Sequence, residues 1–493
     1  MSESGGNGEA ISEAELAVFH DVVGRLRELP VDDPVRLRAE QVAASFARDG
    51  RLRRRKARGA ELSAADAAVM AATATGADDR REDAPLVAEG ASGAPVVPGA
   101  AGAAGVAGVV GVFRKPRPCY VCKASYRQVD SFYHRLCPDC AADNRARRAL
   151  TTDLSGRRAL LTGGRVKIGF QLALMMLRDG AELLVTSRFP HDTRRRFCAV
   201  PGSEKWLDRL TVLAVDLRDP RQVLGLCDEL RQEGEPLDII VNNAAQTVRR
   251  PPESYAALTA GEWAQLPAGA RGAPGFLPMA ALEGSAATRG ALALVLSEDG
   301  LLGEAGTLGE TGPPVESAAL RVADEAGLLR DPSPENSWSA RLGDLDPAEV
   351  LETQLVNALA PALLCDRLLP LLLASPRPRT YIVNVTAVEG RFAVRNKTAG
   401  HPHTNMAKAA LNMLTRTSAA ELAERGVHMC AVDTGWITDE NPAPKKDRIA
   451  GAGFRTPLDV VDGAARVYDP IVRGEAGAPL SGVFLKDYRE AEW

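Results

Sequence analysis

Short apolar runs alternate with amphipathic segments of helical length between Leu154 and Tyr488. The first run, Arg158–Leu161, leads into a glycine-containing turn, and later runs of strand character recur along the chain, at Ala181–Arg188, Leu210–Asp216, Leu237–Ala245, Thr380–Ala387, Val427–Thr438 and Gly482–Tyr488. Strands that alternate with helices are typical of α/β proteins with a parallel sheet. The pattern therefore predicts a doubly wound, Rossmann-type parallel sheet.

The turn after the first predicted strand has the composition of a phosphate-binding loop. It runs from Thr162 to Gly169, and apolar residues at helical spacing follow it, namely Ile168, Leu172, Met175, Met176 and Leu177. A strand, a tight turn and a helix in this order point backbone N–H groups and the positive end of the helix dipole at the space over the turn. We expect a dinucleotide to bind there.

Residues 1–70 carry two stretches of helical periodicity. Ser12–Glu15 has the form of a capping box, and apolar residues follow at positions 16, 19, 22, 23, 26 and 29. A second helix is predicted from Val35 to about Arg58. The basic run Arg51–Arg58 has no interleaved aromatic residue, so we interpret it as a solvated helix face rather than a nucleic-acid site.

Two segments have compositions that do not predict a folded core. Residues 71–113 are dominated by Ala, Gly, Pro and Val, and we interpret them as a disordered linker. Residues 254–346, rich in Gly, Ala, Pro and Glu, are interpreted as a flexible insertion in the domain that spans 151–493. An insertion at the carboxyl ends of the strands would border a substrate and act as a lid; a disordered spacer is the alternative.

Four cysteines in residues 114–150 have the spacing of a zinc site: Cys119 and Cys122, then Cys137 and Cys140. Two such pairs can close a tetrahedral four-thiolate shell, which is structural because no coordination position stays open. The sequence therefore predicts a small zinc module before the α/β domain. His134 could replace a thiolate, but we expect it to be a surface residue.

The totals limit the classes of protein to consider. The net charge of −4 gives no general attraction to nucleic acid or anionic membranes. Residues 94–113 are uncharged but mostly Gly, Ala and Pro, which is too weakly apolar for a membrane span, and the N-terminus lacks the features of a signal peptide. We therefore expect a cytoplasmic protein with reduced cysteines.

Three sets of residues resemble the short-chain dehydrogenase/reductase family. The turn Thr162–Gly169 is similar to its Thr-Gly-x-x-x-Gly-x-Gly motif, Asp216-Leu217 follows the third strand, and Asn242–Ala245 is similar to its Asn-Asn-Ala-Gly motif. The resemblance covers roughly residues 154–488. It implies NAD(P) binding and hydride transfer between nicotinamide and a carbonyl or alcohol substrate.

The resemblance assigns cofactor-binding positions along the chain. They are Thr162, Gly163, Gly164, Arg165, Lys167, Ile168, Gly169, Arg188, Asp216, Leu217, Asn243, Ala244, Lys408, Gly435 and Thr438. Lys167 stands where the family has its middle glycine. An acid that would bind the ribose 2′-hydroxyl of NAD is replaced at the end of the second strand by Arg188. Together with Arg165 this favours NADP(H).

The catalytic positions are only partly retained. Asn357 matches the family's helix asparagine and Lys408 its lysine, but Ala387 stands at the serine position and Thr404 at the tyrosine position. The family's proton donor is therefore absent. His401 and His403 are the nearest groups that titrate near neutrality, and we expect His403 to supply the proton, with a rate that titrates between roughly pH 6 and 7.5. Thr404 would position the carbonyl or pass the proton on. A surface or capping role at the start of the helix is the alternative for His403.

The sequence leaves three readings of function. The first is an NADP-dependent oxidoreductase with a non-standard proton relay, acting on a small carbonyl or alcohol and open to self-association. The second is a catalytically inactive nucleotide-binding relative that serves as a sensor or scaffold and holds a protein partner through its N-terminal region. Nucleic-acid binding through the zinc module is the least favoured reading.

Overall fold

The computed structural model describes residues 11–81, 84–86, 108–250, 252–263, 265–277, 329–394 and 397–493. The chain divides into two compact units, one up to Ala68 and one from Val69 onward. Helix α1 spans Glu13–Glu28 in the first unit, and α2, which is longer than predicted, spans Pro34–Ala71 and ends three residues beyond that unit. The capping box is present, with the Glu15 carboxylate accepting the Ser12 N–H at 2.8 Å. Residues 51–58 are all exposed.

Within its described residues, the second unit contains a nine-stranded sheet in the order β11-β10-β9-β8-β6-β3-β4-β5-β7. Every pairing is parallel except the last, between β10 and β11. The strands are β3 Arg158–Leu161, β4 Glu182–Ser187, β5 Leu210–Ala214, β6 Ile239–Asn242, β7 Ala270–Gly272, β8 Thr380–Thr386, β9 Val427–Asp433, β10 Phe484–Lys486 and β11 Arg489–Ala491. The predicted doubly wound parallel sheet is confirmed.

Helices cover both faces of this sheet. They are α4 Lys167–Arg178, α5 Pro190–Cys198, α6 Pro220–Glu233, α7 Ala256–Thr259, α8 Pro347–Gln354, α9 Ala360–Leu373, α10 Pro402–Glu424, α11 Ala443–Gly451 and α12 Val460–Glu475. Neighbouring side chains of a strand face opposite sides. Accordingly Leu161 joins the core that contains α4 and α12, and Leu160 joins the core that contains α6 and α9.

The helical segment Pro347–Leu373 is long and apolar enough to cross a membrane, the only such segment among the described helices. A turn of π-helix, Leu355–Leu359, joins its two parts. Half of its most apolar stretch is buried, and Leu364 and Leu368 pack in the core beside α6. Burial against the sheet accounts for this hydropathy, since a core helix needs the same apolar residues as a membrane span.

The cysteine module and the α/β domain share a hydrophobic core. Strands β1 (Val109–Pro118) and β2 (Ser125–Asp130) pair antiparallel, and α3 (Pro138–Arg148) follows them. Aromatic residues of the module, Phe132 and Tyr133 among them, cluster with Ile437 and Leu458 of the α/β domain. The boundary expected at residue 150 therefore does not separate two cores.

Parts of the two predicted flexible segments have defined structure. Within 71–113, β1 begins at Val109, and Thr73 and Thr75 are buried. Within 254–346, β7 extends the sheet beside β5, and a 3-10 turn forms at Ser337–Ser339. Residues 87–107 and 278–328 lie outside the described residues. For these two ranges, the disordered linker and the flexible insertion stay predictions.

Candidate active site and cysteine cluster

The glycines of the turn after β3 allow close backbone approach. Gly163 has a φ of +72°, and a Cβ there would lie 2.9 Å from the Cα of Ala244. A Cβ on Gly164 would collide with Val185, and one on Gly169 would collide with the carbonyl oxygen of Gly163. Side chains larger than hydrogen would thus push the turn away from β4 and β6, so these positions require glycine.

The turn is tied to the end of β6, where the strand order reverses. The Asn243 side chain donates to the carbonyl oxygens of Thr162 and Gly163, both at 3.0 Å. The Thr162 hydroxyl in turn accepts the backbone N–H groups of Asn243 and Ala244 at 3.0 Å. Ligands of open α/β sheets bind at such a reversal, outside the carboxyl ends of the strands. The structure brings these predicted cofactor residues together there.

Lys167 occupies the middle-glycine position in a left-handed conformation, with a φ of +55°. Its ammonium lies 3.3 Å from the Glu440 carboxylate, which also accepts the Thr438 hydroxyl at 2.9 Å. Burial raises the pKa of Glu440, but the positive charge of Lys167 and neighbouring groups outweighs this and lowers it to about 2. Lys167 therefore connects the phosphate turn to the loop after β9.

Two predicted arginines converge at the end of β4. The guanidinium carbons of Arg165 and Arg188 lie 5.4 and 5.6 Å from the centroid of the Phe189 ring, and Arg188 also lies 5.3 Å from Tyr255. Arg165 is paired with Asp192 at 2.9 Å. No carboxylate of the described residues lies within ion-pair distance of Arg188. The end of β4 therefore carries positive charge of the kind that a 2′-phosphate would need.

Asp216, predicted to bind cofactor after β5, is held by Arg218. The closest approach of the pair is 2.6 Å. Burial raises the pKa of Asp216, and the charge and hydrogen bonds of Arg218 more than offset this, so the net shift is downward. The neighbouring Leu217 packs in the core of the α6 side. Both carboxylate oxygens of Asp216 already accept hydrogen bonds from Arg218.

Lys408 and Thr404 lie one turn apart on α10, on one face of the helix. The Lys408 ammonium donates to the carbonyl oxygen of Val385 at 2.9 Å, and burial lowers the pKa of this lysine to about 8. No carboxylate among the described residues pairs with it. The hydroxyl of Thr404 is buried and has no hydrogen-bond partner in the described part of the chain. Both groups can serve a polar ligand.

Asn357 lies in the π-helical turn and is fully buried. Its amide oxygen accepts the backbone N–H of Gln246 at 2.7 Å, and its amide nitrogen donates to the Gln246 carbonyl at 2.8 Å. The side chain thus fixes the chain after β6, and π-turns of this kind are frequent at functional sites.

His403 faces α8. Its ring is fully buried, its nitrogens have no hydrogen-bond partner among the described residues, and the nearest carboxylate, that of Glu349, is 4.0 Å away. Burial lowers the pKa of His403, with Glu349 opposing only in part. A neutral imidazole at pH 7 is poorly suited to the predicted role as acid, and the expected window of pH 6–7.5 moves downward.

Residues that the sequence interpretation missed join the insertion to the site. The indole of Trp338 stacks on His401 with ring centroids 4.0 Å apart, and the His401 ring nitrogen bonds the Trp338 carbonyl at 3.0 Å. The Asn336 side chain donates to the Glu440 carbonyl oxygen at 2.9 Å. Lone polar residues in a Gly- and Pro-rich segment gave no periodic signal, so only their contacts reveal them.

The four predicted cysteines form one cluster. Their sulfur atoms all lie within 4.8 Å of one another, and those of Cys122 and Cys137 are 3.7 Å apart. Four sulfurs bound to zinc at 2.3 Å would be about 3.8 Å apart, whereas a disulfide is about 2 Å long. The backbone N–H of Cys137 also donates to the Cys119 sulfur at 3.3 Å, which favours a thiolate. The cluster fits a tetrahedral metal ion.

His134 is not the surface residue that was expected. It is buried, and its ring nitrogen lies 2.7 Å from the hydroxyl of Thr75. Burial and neighbouring arginines lower the pKa of His134 to about 3. Thr75 belongs to the segment before β1 and lies 59 residues from His134 in sequence, so the cysteine spacing alone does not indicate this contact.

The parallel sheet, with the glycine turn after β3 at the point where the strand order reverses, defines a Rossmann-type protein with a nucleotide site. The family model described as short chain dehydrogenase matches residues 157–268, and that described as enoyl-(acyl carrier protein) reductase matches residues 332–453. The C-signal protein of Myxococcus xanthus is 31% identical over 28% of this chain and 80% of its own length. The chain belongs to the short-chain dehydrogenase family.

Other similarities span more of the chain. An uncharacterized protein of Acanthamoeba polyphaga mimivirus, R665, is 29% identical over 72% of this chain and 71% of its own length. A short-chain dehydrogenase from Burkholderia cenocepacia in complex with NADP is 21% identical, covering 68% of this chain and 97% of that chain with a TM-score of 0.42. The NADPH-bound carbonyl reductase from chicken fatty liver is 16% identical, covering 69% and 100%, with a TM-score of 0.40.

Proposed function

We propose that the protein is an NADP(H)-dependent oxidoreductase that transfers a hydride between nicotinamide and a carbonyl or alcohol substrate. The observation that carries this proposal is Lys408, an ammonium buried in the site without a carboxylate partner among the described residues. A buried charge without a counter-ion is destabilising, and a strongly shifted pKa beside the predicted nucleotide turn is typical of a functional residue. Arg165 and Arg188 support NADP(H) over NAD(H).

The residues of the site divide the chemistry of reduction between them. When bound, NADPH supplies the hydride to the carbonyl carbon. The Thr404 hydroxyl donates a hydrogen bond to the carbonyl oxygen, where negative charge develops. A hydroxyl is too weak an acid to deliver the proton unaided, so the proton comes from Lys408, one turn away on the same helix. The two side chains are not hydrogen-bonded to each other, so a bridging water would carry the proton from Lys408 to Thr404. Asn357 holds the chain after β6 in place.

Lys408 is favoured over His403 as the proton source because of its protonation state. With a pKa of about 8, Lys408 carries a proton at neutral pH, whereas the lowered pKa of His403 leaves that ring neutral. His403 remains the alternative donor. His403→Gln separates the two assignments, since it should lose about 10²- to 10⁴-fold in rate only if His403 is the acid. Lys408→Met is compared at saturating NADPH, because Lys408 is also expected to bind the cofactor.

The test is NADPH oxidation by the purified chain across a panel of aldehydes and ketones. Turnover that requires Lys408 supports the proposal. NADPH binding by calorimetry without oxidation of any substrate would instead support the second candidate, a nucleotide-binding sensor or scaffold, which Ala387 and Thr404 at the serine and tyrosine positions favour. Absence of NADPH binding would reject both.

We also propose that Cys119, Cys122, Cys137 and Cys140 hold one structural zinc ion, which the sulfur spacing supports. Four thiolates leave no open position, so the metal would stabilise the module and take no part in turnover. Cysteine thiols stay reduced in the cytoplasm, and we therefore propose that the protein is cytoplasmic. We further propose that the protein self-associates and that its N-terminal region holds a protein partner.

A further inference from the structure

We propose that Tyr120 of the cysteine module is a positioning residue for the nicotinamide end of the nucleotide site. The proposal rests on the NADP(H) binding proposed above. It assigns the module a role in the site in addition to its own folding: the module fixes the loop that follows β9, residues 434–442. This loop contains Gly435 and Thr438, the positions that resemble the family's nicotinamide-binding segment.

The contact between Tyr120 and this loop is direct. The Tyr120 hydroxyl oxygen accepts the backbone N–H of Trp436 at 2.8 Å. Gly435, beside it, has a φ of +84°, and a Cβ at that position would lie 3.5 Å from the same hydroxyl. The hydroxyl therefore meets the loop directly after the left-handed residue Gly435, two residues before Thr438.

A second set of contacts leads from Tyr120 to the same bend. The Lys486 ammonium lies 5.7 Å from the centroid of the Tyr120 ring and 3.0 Å from the Asp433 carboxylate. Asp433 in turn accepts the backbone N–H of Gly435 at 3.1 Å. The ring and the hydroxyl of one tyrosine thus hold both sides of the turn that β9 makes as it enters the loop.

The loop is also anchored by packing. Ile437, between Trp436 and Thr438, is buried in the cluster formed by the module's aromatic residues. Ile168, in the first turn of α4, packs against that cluster, and a Cβ on Gly463 would meet both isoleucines. The module therefore supports the loop that approaches nicotinamide and the helix start that approaches the pyrophosphate.

The cysteine cluster fixes Tyr120 itself. Cys119 precedes it, Cys122 follows two residues later, and its backbone N–H donates to the Arg135 carbonyl oxygen at 2.8 Å, just before the second cysteine pair. Metal binding would restrict both knuckles and with them the tyrosine. Metal binding would thus influence the shape of the nucleotide site, although the metal itself would take no part in the chemistry there.

The test compares Tyr120→Phe with Tyr126→Phe. Both changes remove one hydroxyl from a tyrosine of the module, but the Tyr126 hydroxyl donates to the His134 carbonyl at 2.8 Å and does not touch the loop. Two ligands separate the ends of the site: NADPH, and 2′,5′-ADP, which carries the 2′-phosphate but no nicotinamide. Dissociation constants come from calorimetry, and thermal unfolding confirms that each variant is folded.

We expect Tyr120→Phe to weaken NADPH binding roughly fivefold, the equivalent of one hydrogen bond, and to leave 2′,5′-ADP binding unchanged. Tyr126→Phe should change neither. Equal weakening of both ligands by Tyr120→Phe, or no weakening of NADPH, would overturn the proposal. Wild-type protein that binds neither ligand would reject the proposed function instead. If Tyr120→Phe does not fold, Ile437→Ala tests the same loop. It should weaken NADPH binding more than 2′,5′-ADP binding, because Ile437 also lies beside Ile168 at the start of α4, and equal weakening of the two ligands would again overturn the proposal.

Discussion

Arg165 and Arg188 hold their guanidinium groups against one ring, that of Phe189, at 5.4 and 5.6 Å from its centroid. Two cations beside one aromatic ring repel each other. Burial is the largest cause of the lowered pKa of Arg165, and the positive charge of Arg188 lowers it further. An anion bound between or beside them would relieve that repulsion. The 2′-phosphate of NADP(H) is such an anion.

Arg188→Ala should therefore weaken NADPH binding by roughly 10- to 150-fold, the range of a charge-assisted hydrogen bond, and leave NADH binding almost unchanged. Calorimetric titration with the two nucleotides measures the ratio. Arg367→Ala is the control, because Arg367 lies on α9, has a side chain that is 48% exposed and pairs with its neighbour Asp366. Equal affinity of the unmutated protein for both nucleotides would contradict the assignment.

The pH dependence of reduction distinguishes the two candidate acids. Burial lowers the pKa of Lys408 to about 8, so its proton is present below that pH and lost above it. We expect the rate at saturating NADPH to be level near neutrality and to fall as the pH rises through about 8. A rate that already falls below pH 6.5 would point to His403, because burial lowers its pKa from that value.

Metal analysis tests the cysteine cluster. Protein purified without chelator should contain one zinc ion per chain, held by four thiolates. Cys122→Ser should lose most of this zinc and lower the unfolding temperature of the module. Cys198→Ser is a matched control, since Cys198 is also exposed but lies on α5, outside the cluster. Zinc-free protein with four freely titrating thiols would remove the metal from the proposal.

Asn357 should matter for stability as well as for the site. Asn357→Ala leaves the N–H and the carbonyl of Gln246 without partners, which should lower the free energy of unfolding by about 2–4 kcal/mol. Asn412→Ala offers a comparison on α10, because the buried Asn412 amide has no partner among the described residues. Denaturant titration of both variants measures the difference; equal losses would argue against the Gln246 contacts.

The contact between Trp338 and His401 tests whether the insertion supports the catalytic helix. Trp338→Ala removes the ring stack at the residue that precedes α10. Hydrogen exchange at the His401 and Asn405 amides, which are bonded to Ala340 and His401, should become faster. Trp263→Ala, which removes an exposed indole, should not change them. Unchanged exchange in Trp338→Ala would leave the insertion as a spacer.

The sequence by itself determined the parts that depend on near neighbours. The strand and helix periods, the glycines of the turn after β3 and the paired spacing of the four cysteines predict the sheet, the nucleotide turn and the sulfur cluster, and the structure contains all three. These features are local because a period of two or 3.6 residues, or a loop between two cysteines, is fixed within a few residues.

Only the tertiary structure decided what lies between these parts. The hydrogen bond between Trp436 and Tyr120 joins residues that are 316 positions apart in sequence, and the one between Lys167 and Glu440 joins residues 273 apart. His403 is buried against α8. No spacing rule reaches over such separations, because packing selects partners by shape and burial after the elements have formed. The same reason explains why the protonation state of His403 and Lys408 became clear only from their surroundings, since desolvation is a property of the fold.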